Sequence, residues 1–433
     1  MKVAFVHQPL GTLSPPVKHG SIGIWTYEVA RRLAPSCNVI VYARRGPEQA
    51  EIKADGGVEY RRISSGLDDR ALKLLGRHPR LQRLPGLRNP KRPFFASRFA
   101  HLEYGLRVAT DLRAQQCDLV HIHNFSQLVP LIRAFNPKVR IVLHMHCEWL
   151  TQLEPRLVER RLRNCDLVLG CSEHIAGKIR RRFPQAASRC AVVYNGVDPQ
   201  CFTPNGHGSI GERGVKRLLF VGRVSPEKGL HVLLQAFGKI FEQNPQTELR
   251  IVGPEWVPPL DFIVRFGEDE RVADLARFYR GSYLSHLRQM LSPGVADRVS
   301  FLGNLPYPEL AALYRAADVV INPSFVESFG MSLVEAMACK AAVVATRVGG
   351  VSEVVENGES GILVEAGNAS ALAQAVLRLL EDPNLRESMG AAGRRRVIER
   401  FSWERVVESL LSRYQESCLS RNRTSRWGRG GQN

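Results

Sequence analysis

No apolar run in this 433-residue chain approaches the ~18 residues needed to cross a bilayer, so no membrane-spanning segment is expected. The opening Met1-Lys2 leads into Val3-Ala4-Phe5-Val6 and then His7-Gln8-Pro9, without the long apolar core or small-residue cleavage site of a secretory leader. That run reads as a first strand, and the cytoplasm is the expected compartment. Nine cysteines are scattered without a Cys-x-x-Cys pair, which leaves neither a disulfide framework nor a zinc spacing. No Gly-x-Gly-x-x-Gly follows the opening strand, which argues against a nicotinamide oxidoreductase. No Asp-x-Asp occurs either, so a common carboxylate pair for a divalent cation is missing.

Acids are absent from one long stretch, Ala71 to Leu102, although the chain as a whole is strongly basic at a formal +18. Arg70, Lys73, Arg77, Arg80, Arg83, Arg88, Lys91, Arg92 and Arg98 fall in or beside that stretch, interleaved with leucines and with Phe94 and Phe95. Basic and apolar side chains together suit peripheral docking on an anionic membrane through residues 70–98. They also suit a solvated basic face packed on its domain by the leucines. No nucleic-acid motif accompanies the charge, and nucleic acid is not an expected partner.

Apolar runs of strand length alternate with amphipathic segments of helix length from end to end, which predicts an α/β protein with parallel sheets. The pattern runs once from Val3 to Val193, pauses at Thr203-Pro204-Asn205-Gly206-His207-Gly208, and restarts at Leu218. The expected organisation is two Rossmann-like, doubly wound domains, 1–205 and 206–400, facing each other across a cleft. A terminal helix at 401–418 is expected to return to the first domain, followed by a disordered basic tail at 419–433. Open sheets of this kind bind ligands beyond the carboxyl ends of their strands.

Two segments lie at such strand ends. In Gly222-Arg223-Val224-Ser225-Pro226-Glu227-Lys228, Ser225 suits an N-cap and Pro226 a first helical position, which would set Arg223 and Lys228 beside a helix terminus suited to a diphosphate. In Glu327-Ser328-Phe329-Gly330-Met331-Ser332-Leu333-Val334-Glu335, Glu327 can accept hydrogen bonds from sugar or ribose hydroxyls. Ser332 and Glu335 have capping-box spacing, so Glu335 could serve only to satisfy an amide.

This second segment, with Glu327 and Glu335 separated by seven residues, resembles the EX7E signature of family-4 retaining glycosyltransferases of the GT-B fold. Gly20-Ser21-Ile22-Gly23, Met145-His146, Asn195-Gly196-Val197-Asp198, Gly222-Arg223 with Lys228, Phe301-Leu302-Gly303 and Gly349-Gly350 with Glu353 match the family in order, from Lys2 to about Phe401. The resemblance implies a nucleotide-sugar donor, a UDP-sugar before GDP-mannose, and an acceptor the residues do not identify. It implies that Arg223 and Lys228 hold the diphosphate and Glu335 the ribose. Glu327 and the backbone of Phe329, Gly330, Met331 and Ser332 would contact the transferred sugar. Gly20 and Ser21 would close over the phosphates, and His146 would stand near the reacting carbon, with Glu327 as the second catalytic candidate.

With no Asp-x-Asp, cations would do the neutralising, and neither a metal nor another cofactor is expected. Departures from the pattern are His144-Met145-His146-Cys147 in place of Thr-x-His-Asp, Met331-Ser332 in place of Leu-Pro, and an insertion from Glu255 to about Arg280 that would either shape the acceptor side or pack over the second domain. A GT-B sugar-nucleotide epimerase and a non-catalytic scaffold are the competing expectations.

Overall fold

The computed structural model describes residues 1–17, 20–77, 91–204, 214–264 and 269–427. Most of the 203–208 linker and the centre of the basic 70–98 stretch therefore lie outside the described residues. The chain divides into two compact units, Met1–Tyr194 with Trp403–Asn433, and Asn195–Ser402.

In the first unit the strands are β1 (Lys2–Val6), β2 (Asn38–Arg44), β3 (Ile52–Asp55), β4 (Val58–Ile63), β5 (Leu119–His123), β6 (Arg140–Met145), β7 (Leu167–Gly170) and β8 (Cys190–Val192). They form one sheet in the order β3-β4-β2-β1-β5-β6-β7-β8, parallel except for the β3–β4 pair at the edge. β1 is central, with Val3 opposite Val39 on one side and Leu119 on the other. Helices cover both faces of such a sheet, so its inner strands are continuous apolar runs, and Val3 to Val6 have no exposed surface.

The second unit has β9 (Lys216–Val221), β10 (Thr247–Val252), β11 (Val299–Gly303), β12 (Val319–Asn322), β13 (Ala342–Thr346) and β14 (Ile362–Val364), all parallel, in the order β11-β10-β9-β12-β13-β14. Counted from β9 this is 3-2-1-4-5-6, the doubly wound order. Leu230, Leu233, Leu234, Phe237 and Ile240 form the buried stripe of the helix Leu230–Gln243.

Three strands have no counterpart in the sequence reading. β4 alternates buried Val58 and Tyr60 with half-buried Glu59 and Arg61, β3 has mostly exposed residues, and β14 spans three residues. β3 and β4 lack the apolar run that marks a buried parallel strand, and the Ile-Leu-Val of β14 is too short to stand out as one. Residues 195–204 belong with the second unit rather than the first. There Val197 N–H donates to the Phe401 carbonyl, and Phe202 stacks edge-on against Tyr307 and Tyr314.

The last helix runs Trp403–Trp427, past the expected end at 418 and into the tail expected to be disordered. Neither Pro nor Gly occurs between Trp403 and Trp427 to interrupt it. It packs on the helix Ser21–Leu33, with Arg32 Nε donating to Glu404, so this last helix belongs with the first unit.

The insertion forms short turns of helix, Leu260–Ile263, Glu270–Ala273 and a 3-10 turn Asp274–Tyr279. Val272, Leu275 and Phe278 are buried against the second unit's core, with Phe278 4.3 Å from the His231 ring. Of its two expected roles, packing over that domain is the one observed.

Candidate active site

In the second unit the strand order reverses between β9 and β12, the kind of switch point at whose carboxyl ends open α/β sheets bind ligands. Arg223 and Lys228 follow β9, and Glu327 follows β12. Three glycines let these connections meet. A Cβ on Gly229 (φ +70°) would lie 2.1 Å from the Pro323 carbonyl, and one on Gly349 (φ +51°) 1.8 Å from that of Glu327. Gly253 approaches Gly222 in the same way, at 1.9 Å. Phe325 N–H then donates to the Glu227 carbonyl at 2.8 Å, and Gly350 N–H to the Glu327 carbonyl at 3.0 Å.

Held this way, Lys228 Nζ donates to Glu327 Oε2 at 2.7 Å, with side chains only 16% and 15% exposed. Burial pushes the Glu327 carboxyl up, but the Lys228 ammonium, the Asn322 side chain and the more distant Arg223 charge outweigh it, and its pKa is lowered overall. Arg223 Nη2 donates to Glu227 Oε1 at 2.9 Å, Ser225 Oγ donates to the same oxygen at 2.7 Å, and the guanidinium lies 4.8 Å from the Trp256 ring centroid. Both cations are thus paired with carboxylates.

Two helix-start expectations are corrected. Ser225 and Pro226 do take the N-cap and first positions, but of a 3-10 turn, Pro226–Lys228, and the Ser225 hydroxyl donates to Glu227 instead of capping an amide; the α-helix begins at Leu230 with left-handed Gly229 as its N-cap. The capping box does not form either. The helix Met331–Ala338 has Gly330 (φ 103°) as its N-cap, so Ser332 is already inside the helix and Glu335 lies beyond reach of the start. Glu335 instead accepts from the hydroxyls of Tyr314 at 2.8 Å and Tyr307 at 3.2 Å. Its burial raises the carboxyl from 4.5 to about 7, against the lowering effect of the two hydroxyls. Phe329 is buried against Phe401, and Met331 and Ser332 supply first-turn amides that have no intrahelical acceptor.

In the first unit the reversal lies between β1 and β5. Exposed Gly20 (φ 77°) is the N-cap of the helix Ser21–Leu33, whose first residue, Ser21, is also exposed. His146, just past β6, is half-buried. Its N–H donates to Asn124 Oδ1 at 2.7 Å, with left-handed Asn124 just past β5.

His146 belongs to a cluster of rings drawn from two adjacent strands, β5 and β6. His121, His123, His144 and His146 all pack around the Trp25 ring, at centroid distances of 5.0 to 5.8 Å. His123 Nδ1 is 3.0 Å from His146 Nε2, and His123 Nε2 is 3.2 Å from Thr26 Oγ1. His144 Nδ1 is 3.2 Å from His121 Nε2, and His121 Nδ1 is 2.7 Å from Tyr414 OH. Burial, reinforced by the neighbouring rings, holds His121, His123 and His144 far below the usual histidine pKa.

The ligand atoms of these three lie within 4.8 Å of one another, the one metal-sized grouping among the described residues. His121 and His123 hydrogen-bond through both ring nitrogens, so a cation would have to displace bonds at each, whereas His144 bonds through Nδ1 and its buried Nε2 makes no hydrogen bond among the described residues. His123, Asn124 and Thr26 were not singled out from the sequence. The His-x-His spacing at 121 and 123 on a strand put both rings on one face and could have revealed the first of them.

The glycine contacts give a direct expectation. Gly349→Ala should cost about 3 kcal/mol through collision with the Glu327 carbonyl and strain at positive φ, read by urea melting. Gly238→Ala, mid-helix with nothing within 4 Å of the added carbon, should stabilise by about 0.5–1 kcal/mol. Equal effects at the two positions would refute the close-packing argument.

Residues 22–200 match the family model Glycosyltransferase Family 4, and residues 209–396 match Glycosyl transferases group 1. Among curated proteins the chain is similar to D-inositol 3-phosphate glycosyltransferase of Thermobifida fusca, at 30% identity over 429 residues, covering 92% of this chain and 89% of that protein. It is also similar to spore coat protein SA of Bacillus subtilis, at 27% identity, covering 93% and 96%. Among solved structures it resembles sucrose-phosphate synthase from Thermosynechococcus elongatus, with TM-score 0.73, 21% identity and coverage of 97% and 99%. An Anabaena protein, HepE, solved in complex with UDP-glucose, gives TM-score 0.66, 20% identity and coverage of 96% and 100%.

Proposed function

Because the chain belongs to the family-4 glycosyltransferases of the GT-B fold, we propose that it moves a hexosyl group from a nucleotide sugar to an acceptor hydroxyl, with retention of configuration and without a divalent metal. The observation that carries this reading is the Lys228–Glu327 pair, fixed by glycine contacts at the carboxyl ends of β9 and β12. On donor binding, Arg223 and Lys228 turn to the diphosphate and stabilise the charge that develops as the bond from sugar C1 to the phosphate oxygen breaks. Glu335 accepts from the ribose hydroxyls. Glu327 and the amides of Phe329, Gly330, Met331 and Ser332 hold the sugar, with Gly20 and Ser21 contributing a helix terminus to the phosphates. The acceptor oxygen attacks C1 from the face the phosphate leaves, and its proton passes to the departing phosphate oxygen. A trapped glycosyl adduct on Glu327 would refute this step.

UDP-sugars are the first choice of donor and GDP-mannose the second. Calorimetry and mass spectrometry with UDP-, GDP-, ADP- and TDP-sugars in EDTA test the donor and metal claims together. One sugar nucleotide should bind selectively and hydrolyse slowly. Binding that needs added metal would overturn metal independence, and no binding by any of the panel would favour a scaffold.

For the acceptor, the surface of the first unit supports a lipid-linked molecule at an anionic membrane. Leu67, Leu74 and Phe99 are 62%, 55% and 59% exposed, and exposed Arg70, Lys73 and Arg98 share their segments. Among the described residues no helix is long and apolar enough to cross a membrane. The protein should sediment with anionic vesicles at low salt and release as salt rises; absence from the low-salt pellet rules this acceptor site out. The similarity to D-inositol 3-phosphate glycosyltransferase favours a second reading, a soluble polyol or aminocyclitol acceptor.

A further inference from the structure

We infer that Thr26 and His123 are positioning residues that lock His146 into the tautomer with its proton on Nε2, so that Nδ1 of His146 can meet a hydroxyl ligand only as an acceptor. The inference rests on the glycosyltransferase reading for its catalytic meaning, but the proton order itself follows from three hydrogen bonds.

Thr26 has one hydroxyl proton. It goes to the Ile22 carbonyl, 2.7 Å away and one helical turn back. Toward His123 Nε2 at 3.2 Å, Thr26 Oγ1 can therefore only accept, and His123 carries its proton on Nε2. A second proton on His123 has no support. The ring has no exposed surface and lies against Phe5, Trp25, His7, His121, His144 and His146, with no carboxylate among these neighbours.

Neutral His123 then presents a lone pair at Nδ1, and the atom facing it at 3.0 Å is His146 Nε2, which must donate. The backbone holds the partner still, because Asn124, between His123 and Phe125, accepts from the His146 amide. The order thus runs from a helix carbonyl through a hydroxyl and a buried imidazole to the half-buried ring of His146.

This supplies what the sequence lacks at the position after His146. An acid there could orient the imidazole, but Cys147 has its thiol pushed up to about 12, chiefly by burial, and holds its proton. The orienting group instead comes from the neighbouring strand β5, as His123, and behind it from the helix that starts at Gly20-Ser21. Nδ1 of His146 is then fixed as an acceptor for a sugar or acceptor hydroxyl. A donor contact to a carbonyl or phosphate oxygen is excluded at that atom unless the ring gains a proton.

The test is long-range ¹H–¹⁵N correlation of histidine-labelled full chain, with His146→Gln used to assign the His146 ring signals. Wild type should show a protonated-type Nε2 and a lone-pair-type Nδ1 at His146, and the same pattern at His123. Thr26→Val, which keeps the shape and removes the acceptor, should mix the tautomers at both rings and lower kcat by about 10- to 100-fold with little change in donor KM. Thr26→Ser should restore both the spectrum and the rate. A proton on His146 Nδ1 in wild type, or an unchanged spectrum and kcat in Thr26→Val, overturns the inference. Failure of wild type to transfer sugar from any donor strikes the glycosyltransferase reading alone, because the spectra are read without a substrate.

Discussion

Lys228→Met should lower kcat/KM by about 100- to 1,000-fold, because the cation facing the departing diphosphate is removed from a preorganised site. The same substitution should cost stability, since Glu327 would be left nearly buried without its 2.7 Å partner, a loss of about 3–5 kcal/mol for an uncompensated charge. The two effects separate in the double variant Lys228→Met/Glu327→Gln, which should recover most of the stability and none of the activity. The pH dependence separates them again. In wild type Glu327 is depressed, so its contribution is present above the ordinary carboxylate range and is lost as pH falls through the lowered pKa. In Lys228→Met the main cause of that depression is gone, and the variant should become more stable as pH drops. Wild-type turnover in Lys228→Met would remove this residue from the chemistry.

Glu335→Gln should move stability the other way. The carboxyl is raised to about 7 in the folded chain, against 4.5 when unperturbed, so the folded state binds more protons than the unfolded state between those values. Stability therefore falls as pH rises from about 4.5 to about 7 and stays low above it, a loss of about 3 kcal/mol that glutamine does not incur. Chemical melts at pH 8 should show the variant more stable than wild type, with the advantage disappearing near pH 4.5. Donor affinity should meanwhile drop about 10- to 100-fold, because a charged acceptor of two ribose hydroxyls has become a neutral amide. Wild-type affinity should itself rise with pH through 7 as Glu335 ionises. A variant that gains stability and keeps full affinity would mean that Glu335 serves only Tyr307 and Tyr314.

The contrast between these two carboxylates shows where the sequence was readable. The spacing of Glu327 and Glu335 is a local pattern, and so are the inner strands, whose uninterrupted Val, Ile and Leu follow from burial on both faces. What was not local was missed. Ser225 looked like a cap, but the left-handed Gly229, whose conformation answers to Pro323 far along the chain, sets the helix start. Ser332 and Glu335 had capping spacing, but the tyrosines that bind Glu335 come from the preceding helix Tyr307–Ala316. Thr26, His123 and His146 are drawn together by the order of β1, β5 and β6 in the sheet, which no window of sequence contains. The edge strand β3 and its neighbour β4 were missed for a different reason, since partial exposure dilutes their pattern with charge.

The helix Trp403–Trp427 has a consequence for synthesis. The second unit is one uninterrupted stretch and can fold as soon as Ser402 clears the ribosome, but the first cannot be finished until the last helix arrives. At about 5–20 residues per second, the roughly 200 intervening residues keep the nascent first unit waiting about 10–40 s. During that interval the face of the helix Ser21–Leu33 that receives the last helix is uncovered, and His121 lacks Tyr414. A ribosome stalled before Trp403 therefore holds a first unit without Trp403, Val406, Leu410 and Tyr414, all buried in the folded protein, and the surface they cover stays in water.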